Sequence, residues 1–190
     1  MSRSEVVSID NDMAARARPA SGPNCTQLGS VQRLLLAADG TLTDMLEALY
    51  QEELHVVLLK QHIAPVGQRR EFNLLYVSPA EAALTRTVIT QGIGSGKAYV
   101  YAESRIALNR LDPRVRRGLL ETDIGLGRLW KRNRVETFKE VLDAGIEAAR
   151  FLSRHFDMHP DDPLLVRRCR VSSDGKPVAL LTEYVRCPVD

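Results

Sequence analysis

Cysteine is scarce in this chain of 190 residues: Cys25, Cys169 and Cys187 are the three present, far apart and with no CxxC pair. An odd, sparse set argues against a disulfide framework and against a cysteine-built zinc site, and the expectation is reduced thiols in a cytoplasm. Long apolar runs are lacking as well. None approaches the roughly 20 residues needed to span a bilayer, and no apolar signal core follows Met1-Ser2-Arg3-Ser4-Glu5. Arg16 and Arg18 suit an organelle-targeting peptide, but Glu5, Asp10 and Asp12 count against one. Charge of one sign is missing too, since 26 Lys and Arg face 24 Asp and Glu for a formal net charge of +2. Nucleic-acid binders carry a much larger basic excess on one face. A soluble intracellular protein with neither nucleic acid nor membrane as partner is expected.

Apolar residues make up 44% of the chain, enough to fill a core, and the length suits one domain with a tail. Residues 1–27 hold Pro19, Gly22, Pro23 and Asn24 with few large apolar groups, and read as a flexible lead-in to a domain over 28–190. Thr41 with Asp44 three residues on resembles a capping box, and Leu42, Met45, Leu46 and Leu49 at helical spacing predict a helix over about 41–51. Leu54–Gln61 is a β-type run. Ala83–Thr90 and Ala98–Ala107 form a hairpin around Gly92-Ile93-Gly94-Ser95-Gly96-Lys97. Pro113–Leu120 reads as helix, Leu126–Trp130 starts another, and Arg134–Leu152 continues as helix with Phe138, Val141, Leu142, Ile146 and Ala149 on one face. Leu165–Ser172 and Pro177–Val185 close the chain as a second hairpin around Asp174-Gly175. Strand pairs interrupted by grouped helices predict an α+β fold with an antiparallel sheet.

Three motifs have plain readings. The Gly92–Lys97 loop departs from a P-loop, with Gln91 and Ala98 where that motif needs Gly and Ser or Thr, and a strand rather than a helix follows. His155 and His159 have a zinc-ligand spacing, but no glutamate is placed between them to act as base, Pro160 follows and no third ligand is evident, so no metal is assigned. Arg128, Lys131, Arg132 and Arg134 form a basic cluster, read either as a solvated helix start or as a lure for an anionic substrate.

Arg86 and Glu183 are the sharper pair. Alternation puts Arg86 on a face with Leu84 and Val88, and Glu183 on a face with Leu181 and Val185. A charge on an apolar strand face is costly unless it is paired or used. Periodicity leaves three readings open: a salt bridge between the two, an edge facing water, or a functional pair.

Four blocks in order resemble the chorismate pyruvate-lyases, in the branch first described as a domain of unknown function in actinobacteria, cyanobacteria and archaea. They are Arg33–Thr43, Tyr101–Ile106, Leu126–Leu129 with Glu136–Glu140, and Gly175–Glu183. The resemblance implies a chorismate lyase-like sheet with helices grouped on it and product held in a closed internal cavity. It implies that Glu183 and Arg86 are the catalytic charges, and that the substrate-binding positions are Leu42 and Leu126, whose backbone amides suit the ring carboxylate. Arg134 is a lesser candidate for the second carboxylate. The chain departs from the best-known bacterial enzymes of the family in a longer middle helix and a basic lead-in.

The implied reaction removes pyruvate from chorismate to leave 4-hydroxybenzoate. Aromatisation drives it, so neither a redox cofactor nor a metal is required. Two rivals stand beside it. One is a sensor of this fold that binds a hydroxybenzoate without turnover; such sensors usually follow a DNA-binding helix-turn-helix, for which 27 residues are too few. The other is a relative yielding another hydroxybenzoate isomer.

Overall fold

Alternation of apolar and polar residues shapes two three-stranded meanders. The computed structural model describes residues 28–188, so the lead-in expected over 1–27 lies outside the described residues. Strands β1 (Leu54–Pro65), β2 (Ala82–Gly92) and β3 (Ala98–Ala107) form the first meander. Strands β4 (Phe138–Ala148), β5 (Pro163–Ser173) and β6 (Lys176–Arg186) form the second. The last strand of each pairs with the other, which gives one six-stranded antiparallel sheet in the order β1-β2-β3-β6-β5-β4.

The β5–β6 connection shows how local chemistry sets register. Asp174 (φ 49°) and Gly175 (φ 71°) both adopt positive φ, the pattern of a two-residue turn whose twist matches the flanking strands. Ser173 therefore faces Lys176. One face of the sheet then carries Leu165, Arg167, Cys169 and Val171 from β5 beside Val185, Glu183, Leu181 and Ala179 from β6.

Two helix pairs cover that face. At one end α1 (Ser30–Ala37) and α2 (Leu42–Tyr50) pack Leu35, Leu36, Leu42 and Leu46 against Val100, Leu165 and Val185. At the other end α3 (Pro113–Glu121) and α4 (Leu126–Asn133) pack Val115, Leu119, Leu129 and Trp130 against Leu84, Ile106 and Leu181. The opposite face is covered by 3-10 turns at Arg70–Leu75 and Arg150–Leu152 and by the short α5 (Ser153–Phe156). Among the described residues, no helix is long and apolar enough to cross a membrane.

Two expectations need correction. Arg134–Leu152 is not a helix, because Phe138–Ala148 is the edge strand β4. A bulge between Val141 and Asp143 inserts one residue, so Glu140, Asp143 and Glu147 fall on one face at spacings of three and four, as they would along a helix. Those acids pair across the ladder, Asp143 and Glu147 with Arg168 and Glu140 with Arg170. The longer middle helix therefore does not exist. The capping box at Thr41 is also absent: Thr41 makes no side-chain cap hydrogen bond, and Asp44 reaches Lys131 on α4 at 2.6 Å instead.

At Gly175 an added Cβ meets open space, so backbone conformation alone sets the cost of a side chain. Gly175→Ala is expected to lower unfolding free energy by about 1–2 kcal/mol, the cost of holding an L-residue in the left-handed region. Chemical denaturation of the variant checks this, and an unchanged midpoint would count against the turn.

Candidate active site

The two helix pairs do not meet over the middle of the sheet. The gap between them is a cavity of about 290 Å³, at the small end for ligand sites. Its floor is Val88 and Thr90 of β2, Val100, Ala102 and Ser104 of β3, and Leu181 and Glu183 of β6. Its walls are the loop before α2 and the N-terminus of α4. Where a closed chamber was expected, the cavity opens to solvent along part of its boundary, because Gly40, Lys131 and Thr137 on its rim are themselves exposed.

The walls approach closely for a reason visible in the residues. A Cβ on Gly127 would lie 3.2 Å from Thr41 Cγ2, and one on Gly125 would lie 3.3 Å from Val56 Cγ2. Glycine at the start of α4 lets its backbone come up to the start of α2. Leu42 and Leu126 are the first residues of those helices, and both line the cavity. Helix starts carry unpaired backbone N–H groups and a positive dipole end, the usual recipe for holding a carboxylate.

Glu183 is 9% exposed and lines the cavity. Arg86 is 3% exposed and lies on the same face: Arg86 pairs with Ser104, and Ser104 with Leu181, two residues from Glu183. Strand β3 separates them, so they stand two strand spacings apart, roughly 10 Å or more between Cα atoms. The salt bridge between them that periodicity left open does not form. Arg86 Nη1 donates to the Leu119 carbonyl at 3.3 Å, while buried Nε and Nη2 have no partner among the described residues. Those two nitrogens share one edge of the guanidinium, the edge that grips a carboxylate with two parallel hydrogen bonds. Burial pulls the Arg86 pKa down and Asp123 acts against that, but a guanidinium stays charged in a protein.

Glu183 pairs instead with Arg167, which sequence reasoning passed over. Arg167 is wholly buried, and its Nε donates to Glu183 Oε2 at 2.6 Å. Its Nη1 donates to the carbonyls of Leu35 and Ala38, both at 2.8 Å, at the end of α1. The signal was present in the sequence: alternation puts Arg167 on the apolar face of Leu165, Cys169 and Val171, as it does for Arg86 and Glu183. Neighbouring Cys169 is no nucleophile, since burial and then the Glu183 charge push its thiol pKa up.

The basic cluster divides. Arg128 and Lys131 line the cavity but are matched by acids on α2: Arg128 pairs with Glu47 and Lys131 with Asp44. Burial raises the Glu47 pKa, yet hydrogen bonds from Arg128 and the Leu54 amide outweigh it and hold the carboxyl below its usual range. Arg134 caps α4 in the left-handed region, is exposed and does not line the cavity. The glycine loop holds the chain's own anion, because the amides of Gly94 and Ser95 donate to Glu52 Oε1 at 3.0 and 2.6 Å. Helix α5 ends at Phe156, so His155 and His159 do not share a helix. Among the described residues, no group of three or more His, Cys, Asp or Glu could hold a metal ion.

Residues 36–187 match the family described as "Chorismate pyruvate-lyase Rv2949c-like". A protein named chorismate pyruvate-lyase from Mycobacterium tuberculosis (strain CDC 1551 / Oshkosh) is 33% identical over 154 residues, which cover 80% of this chain and 77% of that one. Its namesake from Mycobacterium leprae (strain TN) is 29% identical over 154 residues, covering 80% and 72%. The effector domain of PhnF from Mycobacterium smegmatis superposes with a TM-score of 0.58 at 14% identity, covering 77% of this chain and 88% of that one. That likeness shows the fold alone, a chorismate lyase-like sheet.

Removing Arg167 leaves a buried carboxylate uncompensated. Arg167→Met is expected to cost about 3–5 kcal/mol of unfolding free energy, and Arg167→Met with Glu183→Leu to recover most of it. Urea denaturation of both proteins measures this, and a single variant as stable as the parent would refute the pairing.

Proposed function

The chain belongs to the Rv2949c-like chorismate pyruvate-lyase family, and from that premise we propose that it eliminates pyruvate from chorismate to give 4-hydroxybenzoate. The observation that carries this reading is the edge of a buried, charged Arg86 that meets no partner among the described residues, on the same sheet face as Glu183. Glu183 and Ser104, the cross-strand partner of Arg86, line the small cavity, and Arg86 itself does not. A buried guanidinium edge without a partner is costly, and an anionic ligand supplies what is missing.

Chorismate carries a ring carboxylate and an enolpyruvyl ether carboxylate. In the proposed reaction a Glu183 carboxylate oxygen takes the proton from ring carbon C4. The C–H electron pair becomes ring π-bond as the C3–O bond breaks, and its electrons leave on the enolpyruvate oxygen. The ring becomes aromatic and the departing enolpyruvate takes up a proton to become pyruvate. Arg86 holds the enolpyruvyl side, where its fork binds carboxylate and its charge offsets the negative charge growing on the leaving oxygen. The amides of Leu42 and Leu126 hold the ring carboxylate, which seats the ring between the two charges. Arg128 and Lys131 at the wall favour approach of a dianion, weakly, since Glu47 and Asp44 neutralise much of their field.

The fold shared with an effector domain supports one rival, a hydroxybenzoate sensor without turnover. Pure protein incubated with chorismate separates the two, with aromatic product followed by absorbance and pyruvate by a coupled dehydrogenase. Equimolar 4-hydroxybenzoate and pyruvate are expected. Pyruvate with a different hydroxybenzoate corrects the isomer, and product binding without pyruvate release favours the sensor. Glu183→Gln and Arg86→Met are each expected to cut turnover by about 10²–10⁴-fold, with native circular dichroism. Near-parental turnover in either variant removes that residue from the mechanism.

A further inference from the structure

We propose that Arg167 is a positioning residue for the elimination: it locks the Glu183 carboxylate in the orientation that takes the C4 proton. The proposal rests on the reading of Glu183 as the proton acceptor.

A carboxylate on a strand has freedom about three side-chain bonds, and a base that wanders by an ångström loses most of its advantage. Glu183 is held against that freedom on one side only. Its Oε2 takes the Arg167 Nε hydrogen bond at 2.6 Å, leaving Oε1 as the other basic oxygen. Register supplies the rest, since Arg167 and Glu183 are direct cross-strand partners on β5 and β6, with Ala102 on the far side of Glu183. The arginine itself cannot follow the glutamate. It is wholly buried, and the Leu35 and Ala38 carbonyls hold Nη1 from above the sheet. Residues 39 and 40, which follow at once, line the cavity. The pairing thus ties the carboxylate to the wall at which the ring carboxylate is proposed to bind. Nη2, on the same edge of the guanidinium as Nε, is buried without a partner among the described residues. A residue serving stability alone would be expected to satisfy that donor.

A double-mutant cycle tests this. Arg167→Lys keeps the positive charge and gives up the planar fork. It is expected to lower kcat about 10–100-fold, with KM changed less than about 3-fold, because binding survives and orientation does not. Against a Glu183→Gln background the same change is expected to alter the residual rate less than about 3-fold, since the group it orients is already gone. Arg167→Gln replaces the lysine variant if that protein does not fold. Calorimetric binding of 4-hydroxybenzoate checks the split without turnover, and in the Arg167 variants it is expected to stay within about 3-fold of the parent. Near-parental kcat in the Arg167 variants, a loss of 4-hydroxybenzoate binding as large as the loss of kcat, or equal losses in both backgrounds overturn the positioning role while leaving the lyase reading intact. A parent chain that neither releases pyruvate nor binds 4-hydroxybenzoate overturns the reading beneath it, and the proposal with it.

Discussion

A buried arginine meeting a buried glutamate across the β5–β6 ladder constrains everything built above it. Two charges removed from water cost several kcal/mol each unless their geometry and remaining hydrogen bonds compensate. Arg167 meets most of that condition through Nε on Glu183 and Nη1 on the last carbonyls of α1, with Nη2 left unpaired among the described residues. Helix α1 is therefore fixed to the sheet by orphan carbonyls that a helix end must satisfy in any case. Its exit places residues 39–41 where they line the cavity and lead into α2.

The cavity follows from how the helices divide the sheet. Each helix pair brings one apolar stripe to one end of the same face, and together they leave the middle of the sheet uncovered. What lies between is a floor of Val88, Val100, Ala102 and Leu181 that also carries Thr90, Ser104 and Glu183, with Arg86 paired to Ser104 just outside the lining. The two pairs still touch at one point, where Gly127 admits Thr41, and the ion pairs from Asp44 and Glu47 to α4 bind them there. Those acids absorb Arg128 and Lys131 at the wall, Lys139 there donates to the Gly40 carbonyl, and the buried Arg86 keeps two nitrogens that meet no partner among the described residues.

Much of this was legible in the residues. The hairpins over 83–107 and 165–185 follow from β-rich runs around glycine-bearing turns, and α2, α3 and α4 from apolar spacing and helix starts. Arg86 and Glu183 stood out because alternation put charge where apolar side chains were due. Arg167 carried the same signal, but in a run of Arg167, Arg168 and Arg170 it was masked by neighbours that pair with acids on the other face. Strand β4 misled because one bulge shifts its phase: Val141 and Ile146 share a face at a spacing of five, so its apolar residues keep no period of two and fit a helical stripe instead.

For five of the six strands, all but β4, sequence alone determined where they run, which faces are apolar and which charges sit on them, because side-chain direction repeats every two residues whatever the strand lies beside. Only the tertiary structure decided who meets whom. Strand order places β5 next to β6 and keeps β2 one strand further away, so Glu183 takes Arg167 as its partner and Arg86 keeps an edge that meets no partner among the described residues. Periodicity records orientation within a strand, whereas partnership depends on pairings between segments far apart in the chain.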